Sequence, residues 1–193
     1  MNGQPRLNVK FALSNGQLAL VYEVINAGHT DLYLLNRLYR SSPKVEMSPD
    51  VIYVHLDSKT RTVMLAKKLA DLPSGVNVTA PVAPYVTPVR AGEVFREEVH
   101  IPIPVREYRQ YPDPTVNESE ASIRQVYRNV AFVIGYYWRP PNTVEQKVRV
   151  GDSEVIIPKT PAGARLQFGQ LESGPYQFEI PVMEPVRTTL PVK

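Results

Sequence analysis

Apolar residues recur at every second position over short stretches of this chain, and glycine-, asparagine- and proline-bearing turns break the stretches apart. That period is the signature of strands with one covered face. LNVKFAL (Leu7–Leu13) and QLALVYEVI (Gln17–Ile25) flank the Gly-bearing three-residue connection SNG, which predicts a hairpin. In the second stretch Leu18, Leu20, Tyr22 and Val24 share one face, and Ala19, Val21 and Ile25 make the other largely apolar too, as in a central strand. DLYLLNRLY (Asp31–Tyr39) follows the turn NAGHT as a third strand. VIYVHL (Val51–Leu56) and RTVMLAKKL (Arg61–Leu69) flank DSKT as a second hairpin.

From Phe95 onward the alternation sets Phe95, Val99, Ile101 and Ile103 inward and Arg96, Glu98 and His100 toward water, with Glu97 interrupting the inward set. Residues 106–129 are polar, turn-rich and acidic in the middle. They read as a long loop, with a helical turn or two after Ser119. VAFVIGYYW (Val130–Trp138) returns to strand, Phe132 and Ile134 on the core face and Gly135 marking a bulge or a close backbone approach. Weaker strands follow at EQKVRV, SEVIIP, ARLQFGQL and YQFEIPV, and residues 184–193 read as an extended tail.

Many short strands at hairpin spacing and almost no helix predict an all-β sandwich or barrel. The segments LVYEVINAGHTDLYLLN and VTPVRAGEVFREEVHIPIP resemble the strand–Asn–x–Gly–turn–strand opening and the later Gly-Glu step of bacterial immunoglobulin-like domains of the adhesion or BsuPI type. The resemblance covers about the first two-thirds of the chain. It implies an immunoglobulin-like antiparallel β-sandwich, here with a long inserted loop and extra C-terminal strands, as one domain over residues 1–193. It implies a scaffold, and no function by itself.

Composition narrows the chemistry. Nineteen prolines among 193 residues rule out long helices. With no cysteine, disulfides, thiolate metal sites and cysteine nucleophiles are excluded. The net charge of +3 is spread along the chain without a basic block, so no nucleic-acid partner is expected. No apolar run is long enough for a membrane helix, and MNGQPRL has no leader pattern, so no membrane span and no signal peptide are expected. An exported mature domain and a cytoplasmic one fit equally well.

Catalytic patterns are weak. Glu98 and His100 share a strand face, yet two ligands do not make a metal site, and neither a metal nor a cofactor is expected. No serine stands in a nucleophile elbow. Paired acids at Glu97–Glu98, Glu118–Glu120 and Asp152–Glu154 are no denser than a charged chain supplies by chance. Sequons occur at Asn77 and Asn117.

The cluster above background is aromatic and basic: Arg106, Tyr108, Arg109, Tyr111, Arg124, Tyr127, Arg128 and Arg139, beside Tyr136, Tyr137 and Trp138. Tyr, Trp and Arg bring large contact area with a polar handle. The expectation is a non-catalytic binding or assembly module that contacts another protein through these residues, a homo-oligomer being left open. The alternatives are a protease-inhibitor-like domain using QYPDPTVNE, and a glycan-acting enzyme or carbohydrate-binding domain.

Overall fold

The first hairpin closes more tightly than its sequence suggests. In the computed structural model, which describes residues 3–40, 45–72, 82–111 and 116–189, Arg6–Ser14 (β1) and Gln17–Ile25 (β2) pair in register from Arg6↔Ile25 to Ser14↔Gln17. The turn is the two residues Asn15 and Gly16, both at positive φ (50° and 74°). Such a turn matches the right-handed twist of the strands it joins.

The remaining strands are β3 (Leu32–Arg37), β4 (Tyr53–Asp57), β5 (Thr62–Lys67), β6 (Tyr85–Val89), β7 (Val94–Pro102), β8 (Val105–Arg106), β9 (Val116–Trp138), β10 (Val144–Val150), β11 (Ser153–Lys159) and β12 (Phe168–Thr189). They form a three-stranded sheet, β1-β2-β7, facing a nine-stranded sheet, β10-β11-β6-β3-β9-β12-β8, with β4 joined to β5 and β5 to β9. The chain is thus all-β with a sandwich-like pair of sheets, and no helix occurs among the described residues.

Between the sheets β2 lies over β9, where the Tyr22 ring is 4.8 Å from that of Phe132. Leu18, Leu20, Tyr22 and Val24 meet Val130, Phe132 and Ile134, all completely buried. Val99 and Ile101 join them, while Phe95 and Ile103 are only partly covered at the margin.

The turn after β2 is held from inside. Asn26 is fully buried and its Nδ2 donates to the carbonyls of Thr30 and Val89 (both 3.0 Å), while its Oδ1 accepts from the Gly28 N–H (3.1 Å). A Cβ on Gly28 would stand 3.2 Å from the Trp138 ring, so a side chain there would press on the end of β9.

Two expectations about the second half are corrected. Residues 116–129 are the first half of β9, neither loop nor helical turn, and they pair with the end of β12 from Val116↔Thr189 to Tyr127↔Ile180. Alternation reports a covered face, and this ladder runs past the core: Ile123 and Val126 are 55% and 52% exposed. Among the described side chains of 122–129 only Tyr127 is completely buried, so there is little apolar period to read, yet the backbone is paired to β12 with register shifts along the way. For the same reason residues 184–189 of the supposed tail belong to β12, whereas 190–193 lie outside the described residues. The two weak strands at its start are one strand with a register shift between Ser173 and Tyr176, where Gly174 has φ 105°.

Glu97 interrupts the inward set of β7 because it has partners inside. It accepts from the Tyr22 hydroxyl (2.6 Å), from Asn36 Nδ2 (3.3 Å) and from the ammonium of Lys67, which is 0% exposed and also donates to the Pro49 carbonyl (2.7 Å). Burial pushes the Lys67 amine below its ordinary pKa, against the pull of Glu97, and pushes the Tyr22 phenol well above its own.

Removing one member of such a pair leaves the other buried without compensation. Lys67→Met should cost about 3–5 kcal/mol in urea unfolding, and Lys67→Met with Glu97→Gln should recover part of that loss. A smaller loss in the single variant than in the double would mean the pair is not coupled. Phe132→Ala should cost about 3–5 kcal/mol, as expected for a fully buried ring. A loss below about 1 kcal/mol would place Phe132 on the other face of β9.

Candidate functional site

The second half of β9 is apolar on both sides, and its outer face builds a groove. Phe132 and Ile134 point into the core, which turns Ala131, Val133, Gly135 and Tyr137 to the outer face of the large sheet. There β5 contributes Met64 and Ala66 from positions alternating with buried Val63, Leu65 and Lys67. β4 contributes Tyr53 and His55, and β12 contributes Gln170 and Glu172. The floor is therefore made of Met64, Ala66 and Val133.

Gly135 marks where β9 changes partners, from β5 in parallel (Thr62↔Asn129 to Lys67↔Ile134) to β3 antiparallel (Leu34↔Tyr136 to Leu32↔Trp138). A Cβ on Gly135 would stand 2.9 Å from Lys68 Cβ and 3.1 Å from Leu35 Cδ1, so the close approach expected there is present.

Residues 108–111 wall the groove on the β4 side. Val54 and Tyr108 exchange both backbone hydrogen bonds (2.9 Å each), which covers the edge of β4. The Tyr53 and Tyr108 rings lie 6.0 Å apart at 34°, and the Arg40 guanidinium sits 4.6 Å over the Tyr108 ring. The Tyr111 hydroxyl accepts the Val82 N–H at 2.7 Å. Burial first, then Tyr108, Tyr111 and Tyr39 nearby, raise the Tyr53 pKa, so its hydroxyl remains a donor at neutral pH.

The rim is polar: His55, Lys68, Asp71, Arg109, Gln110, Gln170 and Glu172 surround an opening of about 480 Å³. Glu107, 7% exposed, anchors it by accepting from the Leu56 N–H (3.1 Å) and Arg109 Nη2 (2.8 Å), with His55 Nδ1 at 2.9 Å. The His55 imidazole stands on the rim. Among the described lining residues no serine or threonine stands with it.

The structure brings together three of the eight residues singled out from the sequence, Tyr108, Arg109 and Tyr111, all half-buried. Arg106 is exposed and lines the hollow on the other side of Tyr108, with Arg40 and Asp50. Arg124 and Arg128 are exposed along the far half of β9. Tyr127 is completely buried under the Arg61 guanidinium (5.5 Å), and burial raises its pKa to about 12.

Arg139 is committed to an ion-pair cluster. It reaches Asp31 (3.0 Å) and Glu145 (3.4 Å), while Arg90 holds Asp31 at 2.9 Å and Glu145 with both guanidinium nitrogens (2.8 and 2.9 Å). The Tyr33 hydroxyl completes it by donating to Glu145 (3.0 Å). Tyr127 and Arg139 therefore support the fold.

Tyr53, Met64, Ala66 and Gln170 were not anticipated. The small and apolar outward positions of RTVMLAKKL and VAFVIGYYW were their signal, since an outer face without charges needs covering.

His100 pairs with Glu98 (3.2 Å) and Asp50 (3.7 Å), and among the described residues no group of three or more His, Asp or Glu is placed to hold a metal ion. No helix among the described residues is long and apolar enough to cross a membrane. The inhibitor-like stretch QYPDPTVNE includes 112–115, and the Asn77 sequon falls in 73–81; both ranges lie outside the described residues. Comparison with protein-family models, curated proteins and solved structures gives no match.

The ion-pair cluster makes stability depend on acid. The Arg90 guanidinium first, with Tyr33 and Arg139, holds Glu145 below its ordinary 4.5. For Asp31 burial acts upward, but the Ala91 N–H, Arg90 and Arg139 outweigh it and bring it below 3.8. Both folded pKa values lie under the unfolded ones, so this stabilisation is complete above the unfolded values and lost as pH falls through the folded ones. The melting temperature should therefore fall progressively as pH drops below about 5. Glu145→Gln should start lower at neutral pH and lose part of that dependence. An unchanged acid profile in the variant would remove Glu145 from the account.

Proposed function

We propose that this chain is a non-catalytic binding or assembly module on an immunoglobulin-like β-sandwich, acting by contact with another protein at the tyrosine-walled groove. The single observation that carries the reading is the pairing of an apolar floor with tyrosine walls and a polar rim on one rigid sheet face. A site of this make-up offers area at its centre and orientation at its margin. Tyrosine has few rotamers to lose on binding, which favours it as a wall. Tyr108 is fixed to Val54 of β4 by both backbone bonds, which supports a wall formed before any partner arrives, with less ordering left for binding to offset.

Filling the floor tests this more cleanly than trimming the walls, because Tyr108 and Tyr111 also support the fold. Ala66→Trp should occupy the groove from its base. In a pull-down from the source cell, the partner retained by the unaltered chain should be lost with Ala66→Trp. The same partner should be kept with Arg124→Ala, on the far half of β9. Loss in both variants, or in neither, would remove the groove as the contact site.

A further inference from the structure

The margins of the two sheets are treated unequally. At β7, the Asp50 carboxylate accepts the His100 N–H (2.7 Å), and at β4 the edge is bonded by Tyr108. At β1 nothing pairs with the outer edge among the described residues. That edge is nine residues long, free of proline and bulges, and lies in unbroken register with β2. Long flat edges of this kind are templates for another strand, and proteins normally blunt them.

The core is also unfinished there. The inward residues of β2 are 0% exposed, whereas Leu7, Val9 and Phe11 of β1 are only partly buried. Phe11 lies 5.9 Å from Tyr176 and 6.3 Å from Phe178 of β12, and Tyr176 and Leu13 are each 42% exposed.

We infer that β1 is the acceptor edge for one extended strand of a partner protein whose side chains alternate apolar and acidic. Pairing with β1 fixes which side chains of the added strand face which way. Those on the core side would cover Phe11, Leu13 and Tyr176 and must be apolar. Those on the other side would stand beside Arg6 and Lys10, which are exposed and form no ion pair among the described residues. Carboxylates are the complement to that pair of cations. A second copy of the chain is a poor occupant, because β1 has no acidic residue. Two copies related by a two-fold would bring four cations into one ladder, and like charges across strands oppose pairing.

The test uses fluorescently labelled peptides of alternating Val and Glu, of alternating Val and Lys, and of the Val–Glu pattern with a central proline. Each is titrated with the whole protein and followed by anisotropy. The Val–Glu peptide should bind saturably, and the proline peptide should not, since proline removes a ladder donor. Arg6→Glu with Lys10→Glu should weaken the Val–Glu peptide by about tenfold and gain the Val–Lys peptide. Its melting temperature should hold, both positions being exposed.

Equal binding of the two charge patterns, no saturable binding of Val–Glu, or retained binding of the proline peptide would overturn the assignment. So would a dimer in sedimentation whose dissociation parallels the charge reversal. Ala66→Trp should leave peptide binding at β1 intact, so failure here and failure at the groove are told apart.

Discussion

A strand that is apolar on both faces has to be covered twice, and most of this architecture follows from that requirement at the second half of β9. The even positions Phe132 and Ile134 are closed over by the three-stranded sheet. The odd positions Ala131, Val133 and Tyr137 are also at most 7% exposed, although they face the opposite way. Tyr137 is covered by a second apolar cluster with Tyr33, Leu35, Val86 and Ile156. That cluster in turn requires the β10–β11 hairpin to come alongside β6, which it does through Ile156↔Val86. The ion pairs among Asp31, Arg90, Arg139 and Glu145 then fasten β10 to the turns beside β3 and β6. Where the covering is incomplete, over Met64 and Ala66 beside Val133, the groove remains.

Buried polar groups show the same economy. Asn26, fully buried, uses both ends of its amide in the turn, and Glu97 answers a tyrosine, an asparagine and a lysine together. Each unmatched group would cost about 1–3 kcal/mol, so such sites tolerate few neighbours. Glu97 also links β7 of one sheet to β5 of the other. An ion pair in that position adds direction to an otherwise apolar and non-directional contact.

The core strands were legible because they are half-covered: Leu18 to Val24, Val99, Ile101, Phe132 and Ile134 sit where alternation put them. Glu97 stood out in the sequence as an exception, but nothing in the local pattern marks its partner Lys67, thirty positions away. The far half of β9 was illegible for the opposite reason. Its bonds are made by backbone to β12, and backbone pairing leaves little trace in side-chain polarity where, as at Ile123, Arg124, Val126 and Arg128, the side chains are exposed. At the site, the density of tyrosine and arginine located Tyr108, Arg109 and Tyr111. It could not tell them from Tyr127 or Arg139, because the same residue types serve a wall, a core and an ion pair. The floor was hidden because Met64, Ala66 and Val133 belong to two strands whose pairing is parallel and therefore not joined by a turn.

The groove and the β1 edge call on different physics and lie on different sheets. The groove offers side chains whose positions are set by two neighbouring strands, so its selectivity comes from shape and from the rim. The edge offers backbone, which any extended chain can bond, so selectivity there has to come from what flanks it. Arg6 and Lys10 supply charge on one side, and Phe11 with Tyr176 supplies apolar surface on the other. A strand that met only one of these conditions would gain the ladder bonds but leave either two cations or a half-covered core unanswered. Neither surface requires the other to move. A scaffold that keeps both rigid can therefore engage two partners, or two segments of one, and in the second case the first contact raises the local concentration for the second.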